Sequence, residues 1–178
     1  MMAMLLSFPY TLMVDGIYAG LIGTISMVTI KTCSTVKSIY TYQNPNVSTL
    51  IKELDIEQRM KLVQAVINSI DSHSKKIVKM KLDDMEKTQI FELVGADVDL
   101  SNDPIELCLL SLNEVIQDIN NDLLAIDRKV GYHNTKWFSS WRTLNVKSLL
   151  DILSMHSKLL DLRFNDLAKI SSFLSKKY

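Results

Sequence analysis

The sequence predicts an all-α protein: a four- to five-helix bundle with a long C-terminal antiparallel helical hairpin and an apolar, Gly-rich N-terminal helix. Three observations predict it. Apolar residues fall at Ile105, Leu109, Leu112, Ile116, Ile119, Leu123, Ile126 and Val130, an unbroken alternation of four- and three-residue steps that marks a heptad seam. A second seam runs Leu149, Leu153, His156, Leu160, Arg163, Leu167, Ile170 and Leu174, and a short polar-aromatic link joins the two, as in an antiparallel hairpin. Only 5 glycines and 3 prolines interrupt 178 residues, of which 47% are apolar, enough for one sizeable core. The expected layout is an apolar N-terminal helix over 1–45 and a helical bundle over 46–178, together one domain.

Met1 to Val14 is apolar, with Pro9 in its middle and no basic residue. A secretory signal opens with positive charge and ends at a small-residue cleavage site, and neither is evident. From Gly16 to Ile30 there is no charge at all; Asp15 precedes the run and Lys31 follows. The run is short of the ~20 residues of a membrane span. Continuing through Thr32 to Val36, with Lys31 snorkelling, reaches that length. Gly16/Gly20 and Ala19/Gly23 form overlapping small-xxx-small pairs, which permit close helix approach in lipid or in a soluble bundle. Each glycine weakens a helix in water by about 1 kcal/mol relative to alanine. So glycine-rich and apolar a segment is a poor surface helix, and either a buried central helix or a membrane-active one is expected. Gly16, Ile17, Ala19, Gly20, Leu21, Ile22 and Gly23 are the candidate membrane-contact residues.

Lys37 to Tyr42 end this helix, and Gln43-Asn44-Pro45-Asn46 breaks it. A second helical region starts at Ser48 or Asp55. Its seam is Ile56, Met60, Val63, Ile67 and Ile70, and it either continues through Lys75, Lys76, Lys79 and Lys81 or bends near Ser72 to Ser74. That basic run reads as a solvated face, with anionic lipid as the functional alternative. Met80 to Leu100 is less regular; Ile90, Phe91, Leu93 and Val94 would pack, and Gly95 opens an acidic linker.

The hairpin follows. Asn102 or Asp103 can cap its first helix, Pro104 suits the first helical position, and Gly131 marks the end of regular packing, with room for the helix to run a turn further. Four aromatics stand in the link from Tyr132 to Arg142. Trp137, Phe138, Trp141 and Arg142 read either as a hydrophobic plug on the bundle end or as an interface for membrane or partner. In the final helix, Val146 to Leu174, flanking Leu150, Ile152, Leu159, Leu162, Phe164 and Phe173 widen the stripe, so it can touch more than one neighbour. His156 reads as a hydrogen-bonded residue at the core edge, and Arg163 as snorkelling or paired with an acid.

Twenty basic and 20 acidic residues cancel, so the electrostatic footprint of a nucleic-acid binder is absent. Cys33 and Cys108 lie far apart in apolar periodic stretches and read as buried thiols of a reducing compartment. Asn46-Val47-Ser48 matches a glycosylation sequon, a triplet that arises often by chance. The chain has no Gly-rich phosphate loop, no His/Cys metal spacing and no HExxH pattern, and His73, His133 and His156 are dispersed. A protein that is not an enzyme, with neither cofactor nor metal, is expected.

The layout resembles the four-helix-bundle domains of cell-death and immune proteins: the fungal HeLo and HeLo-like domains and the bundle of the mixed-lineage kinase domain-like pseudokinase, with plant coiled-coil immune domains more distant. Three features carry the resemblance: the start Gly16-Ile17-Tyr18-Ala19-Gly20 running on to Lys37-Ser38-Ile39-Tyr40, the aromatic-basic link with Lys136-Trp137 before the last helix, and the leucine-rich helix from Leu149 to Leu174. It implies a first helix or bundle that engages membranes and permeabilises them after self-association, or a regulator of that process. The sequence departs from the pattern in showing no amyloid-type trigger, nucleotide-binding module or kinase-like domain after the bundle, which suits a regulator, a decoy or a constitutively placed membrane protein. Membrane lipid, and a second copy or another helical protein, are the partners expected. The rival expectation is a structural or scaffolding protein with an N-terminal single-pass anchor, as in a virus particle or organelle. No Lys or Arg precedes the apolar run, while Lys31 and Lys37 follow it. A cytoplasmic, membrane-associated protein is expected, with the bundle on the cytoplasmic side if Gly16–Ile30 spans.

Overall fold

The computed structural model describes residues 8–42, 44–83, 104–136 and 144–175, with side chains described over 19–42, 44–71, 104–136 and 144–169. These residues form five helices and no strand: α1 (Phe8–Thr41), α2 (Pro45–Glu53), α3 (Ile56–Asp83), α4 (Pro104–Asn134) and α5 (Lys147–Ser175). The all-α bundle expected from the heptad seams is the fold.

Helix α1 is 34 residues long and runs through Asp15, joining the two apolar stretches on either side of it. Pro9 sits in its first turn, where no backbone N–H is required. Further along, the hydroxyls of Thr29 and Thr32 donate to the carbonyls of Ile25 and Val28 at 2.7 and 2.8 Å. Threonine can therefore stand on the buried side of this helix without leaving a polar group unpaired.

The break at Asn44-Pro45 is a helix start. The Asn44 side chain accepts a hydrogen bond from the Val47 N–H at 3.2 Å, and Pro45 opens α2. Asp55, at φ 51°, makes the joint to α3; aspartate tolerates this left-handed conformation better than most residues. Its carbonyl accepts from the Arg59 N–H at 3.0 Å and so begins α3. The second helical region is thus two helices. The later one continues unbroken through the lysine run to Asp83.

Contacts along the helices set their directions. Gln64 donates to Ser26 Oγ at 2.8 Å, and Glu57 near the start of α3 acts on Cys33 and Tyr40 further along α1, so α1 and α3 are antiparallel. Ser38 donates to Asp127 at 2.9 Å, and Tyr42 faces Gly131, so α1 and α4 run side by side in the same direction. His156 meets Asp122 across the α4–α5 hairpin. Arg59 closes the ring by reaching from α3 to the Ser157 carbonyl and the Asp161 carboxylate on α5.

The core lies between these four long helices. On α4 the expected seam is buried from Leu109 to Val130, with Ile105 partly covered. On α3 Ile56, Met60, Val63 and Ile67 are buried, with Ile70 at the edge. The α5 seam needs correction. Leu153, Leu160 and Leu167 point inward as expected, but the steps between them are taken by Leu150, Ser157 and Phe164 instead of Leu149, His156 and Arg163. Both choices keep the heptad spacing. The one adopted spares the core an imidazole and a guanidinium, whose desolvation would cost more than that of a hydroxyl. α4 runs on past Gly131 to Asn134, within the further turn that the sequence allows. Gly131 admits Tyr42: a Cβ there would lie 3.1 Å from the tyrosine hydroxyl.

Candidate membrane-contact surface

Helix α1 is apolar on two sides, and only one of them is covered. The inner side presents Ile22, Ile25, Thr29, Thr32, Val36 and Ile39 to α3 and α4, all buried. The outer side presents Ala19, Gly20, Gly23, Met27, Ile30 and Ser34, all exposed, with Met27 66% and Ile30 65% accessible. No charge interrupts this outer face until Lys31, which is exposed, as is Lys37 two turns on. A helix apolar all round normally belongs inside a protein or a bilayer.

The glycines sharpen the point. A Cβ built on Gly20 or Gly23 would meet nothing within 4 Å. Among the described residues, the close helix approach that the small-xxx-small pairs permit is therefore not used at Gly20 or Gly23. Ala19, Gly20 and Gly23 share the open face, Leu21 is half-buried, and Ile22 belongs to the core at 6% exposure. Gly16 and Ile17 lie within α1, and their side chains fall outside the described set, as do all of Trp137, Phe138, Trp141 and Arg142.

Among the described residues one helix is long and apolar enough to cross a membrane, Ala19–Thr41, and 33% of its most apolar window is buried inside the bundle. Crossing a bilayer as a lone span would strip Ile25, Val36 and Ile39 from α3 and α4.

Two surface features were not singled out as sites by sequence reasoning. The first is the outer side of α5, where Ile152, Met155 and Leu162 are 40%, 58% and 60% exposed. Its signal was available as the widened apolar stripe, but which side faced outward depended on the seam register. The second is a cleft of about 540 Å³ between α2 and the start of α5, floored by Leu50, Leu54, Leu144, Val146 and Leu150 and edged by Glu53, Lys147 and Asp151. It joins residues about a hundred positions apart, and no local pattern announces it.

Polar groups elsewhere serve packing. His156 Nδ1 lies 2.7 Å from Asp122 Oδ2 with both side chains mostly covered, which places His156 at the core edge in a hydrogen bond, as expected. Arg163 is exposed. Cys33 and Cys108 are free and half-buried; burial, with Asp166 adding to it, pushes the Cys108 thiol above its ordinary pKa and away from thiolate reactivity. Among the described residues no cluster of three His, Cys, Asp or Glu could hold a metal ion.

No family model matches the chain, and no solved structure matches it. A relative is found among viral proteins: the chain is 46% identical over 176 residues to the uncharacterized protein L717 of Acanthamoeba polyphaga mimivirus, an alignment covering 97% of this chain and 85% of that protein. The chain belongs to the same family as this mimivirus protein.

Proposed function

We propose that the protein is a membrane-associating helical bundle in which α1 serves both as a core helix and as the membrane-contact element. One observation carries the reading: the exposed Ala19, Gly20, Gly23, Met27 and Ile30 form an uncharged outer face on a helix whose opposite face is already buried. Laid against a bilayer, that face would sit at the boundary between headgroups and acyl chains while Ile22, Ile25 and Val36 stay in the core. Lys31 and Lys37 then lie at headgroup level, on the cytoplasmic side of a membrane-bound protein. The resemblance to HeLo-type bundles extends the proposal to permeabilising a membrane, or regulating that process, in a cell-death or innate-immunity setting.

The test is flotation with vesicles containing anionic lipid, comparing the wild type with Gly23→Asp. A charge at the centre of an inserted helix costs up to about 3 kcal/mol on insertion scales. The Gly23 site has open space around it, so the variant should keep its helical circular dichroism and its melting temperature. We expect the wild type to float and the folded variant to remain behind. A well-folded wild type that neither floats nor releases vesicle contents sinks the membrane reading.

The second reading is a structural or scaffolding protein of a virus particle, favoured by the mimivirus relative. Its single-pass-anchor form requires α1 to leave the core. Carbonate extraction distinguishes the two, because a lone span stays in the pellet and a surface-bound bundle is released.

A further inference from the structure

We infer that the outer face of α5 is a self-association surface, pairing with the same face of a second copy in antiparallel orientation. Ile152, Met155, Leu159 and Leu162 follow one another by three, four and three residues, a heptad seam in its own right. It lies opposite the seam that α5 turns toward the core, where Leu153, Leu160 and Leu167 are buried. Ile152, Met155 and Leu162 are 40%, 58% and 60% exposed, and Leu159 is half-buried at the edge. Four apolar residues on successive turns of an outward face are an unpartnered helix contact, unlike scattered single exposures.

Charge complementarity names the occupant. Asp151 and Lys158 flank this seam on one side, seven residues apart, opposite in sign and both exposed. An interface with a two-fold axis must be complementary to itself, so that each residue meets its counterpart's partner. Two antiparallel copies of α5 centred on Met155 satisfy this. Met155 meets Met155 of the second copy, Ile152 meets Leu159, and Leu162 meets the small Ser148. Asp151 of each copy then faces Lys158 of the other, twice over. In a parallel pairing the two-fold axis would put Asp151 and Lys158 of the two copies on opposite sides of the interface, so neither opposite-charge pair would form. The contact needs no lipid and leaves the outer face of α1 uncovered, so it stands apart from the membrane proposal.

Sedimentation equilibrium on the full chain without lipid tests it. The wild type should show a concentration-dependent monomer–dimer equilibrium. Met155→Asp, at an exposed position, should be monomeric with unchanged helicity and melting behaviour. Asp151→Lys alone and Lys158→Asp alone should each raise the dimer Kd roughly tenfold, since symmetry counts each change twice. The double variant, Asp151→Lys with Lys158→Asp, restores both pairs and should return the Kd to within about twofold of wild type. A wild type that stays monomeric up to about 1 mM overturns the inference. So does a dimer that survives Met155→Asp, or a double variant no tighter than the singles.

Discussion

His156 and Asp122 show how a titratable side chain is accommodated at the edge of a leucine seam. Their 2.7 Å contact across α4 and α5 leaves the side chains only 18% and 15% exposed. Removing one partner would strand the other in a mostly dry site, which costs about 1–3 kcal/mol. Asp122→Ala should therefore lower the unfolding free energy by that amount, whereas replacing both partners together should cost less than the two single changes combined. A double-mutant cycle showing strict additivity would mean that the contact contributes nothing. Close by in sequence, the Asn120 and Ser157 side chains are buried, and Asn120 Oδ1 and Ser157 Oγ have no hydrogen-bond partner among the described residues. Buried polar side chains on a seam cost stability and can hold one register of a heptad pattern, as polar residues do in coiled coils.

At the level of the helix, α4 was fully legible in the sequence and α5 was legible only in part. Every seam position of α4 from Leu109 to Val130 is apolar, and its outer face is filled with acids and amides, so one register satisfies the pattern. α5 carries leucine on nearly every side. Leu149 and Leu150 fit the periodicity equally well, and only the burial cost of His156 and Arg163 separates the two seams. The short α2 escaped for another reason: nine residues present too little periodicity to stand out from the helix that follows. Of the candidate surface, the uncharged run was visible, but which of its residues turn outward needed α3 and α4 in place. The register assignment makes a paired prediction. Phe164→Ala should cost roughly 3 kcal/mol, because the ring packs on the core. Arg163→Ala, at an exposed position, should stay within about 0.5 kcal/mol of wild type. Urea titrations of the two variants decide it, and the reverse order would restore the seam through Arg163.

The molecule as a whole turns on the double use of α1. Its inner face contributes Ile22, Ile25, Val36 and Ile39 to the same core as α3 and α4, and α1 is the helix that both α3 and α4 pack against. Were α1 a lone membrane span, the remaining helices would have to fold without it. The α4–α5 hairpin would remain, but α3 would lose the helix it packs against most extensively. Removing residues 1–30 takes away Ile22, Ile25 and Thr29 and exposes the faces of α3 and α4 that they cover. Each large buried aliphatic lost from a core costs about 2–5 kcal/mol, against a total stability of about 5–15 kcal/mol. The truncated chain should therefore lose its cooperative thermal transition, and Ile25→Asp, which buries a carboxylate at a site with 0% exposure, should do the same. Gly23→Asp, two residues away on the open face, should melt like the wild type. Differential scanning calorimetry of the three proteins reads the contrast directly. A truncated chain that still melts cooperatively would show that α1 is a detachable anchor, and the membrane role would then belong to a spanning segment outside the bundle.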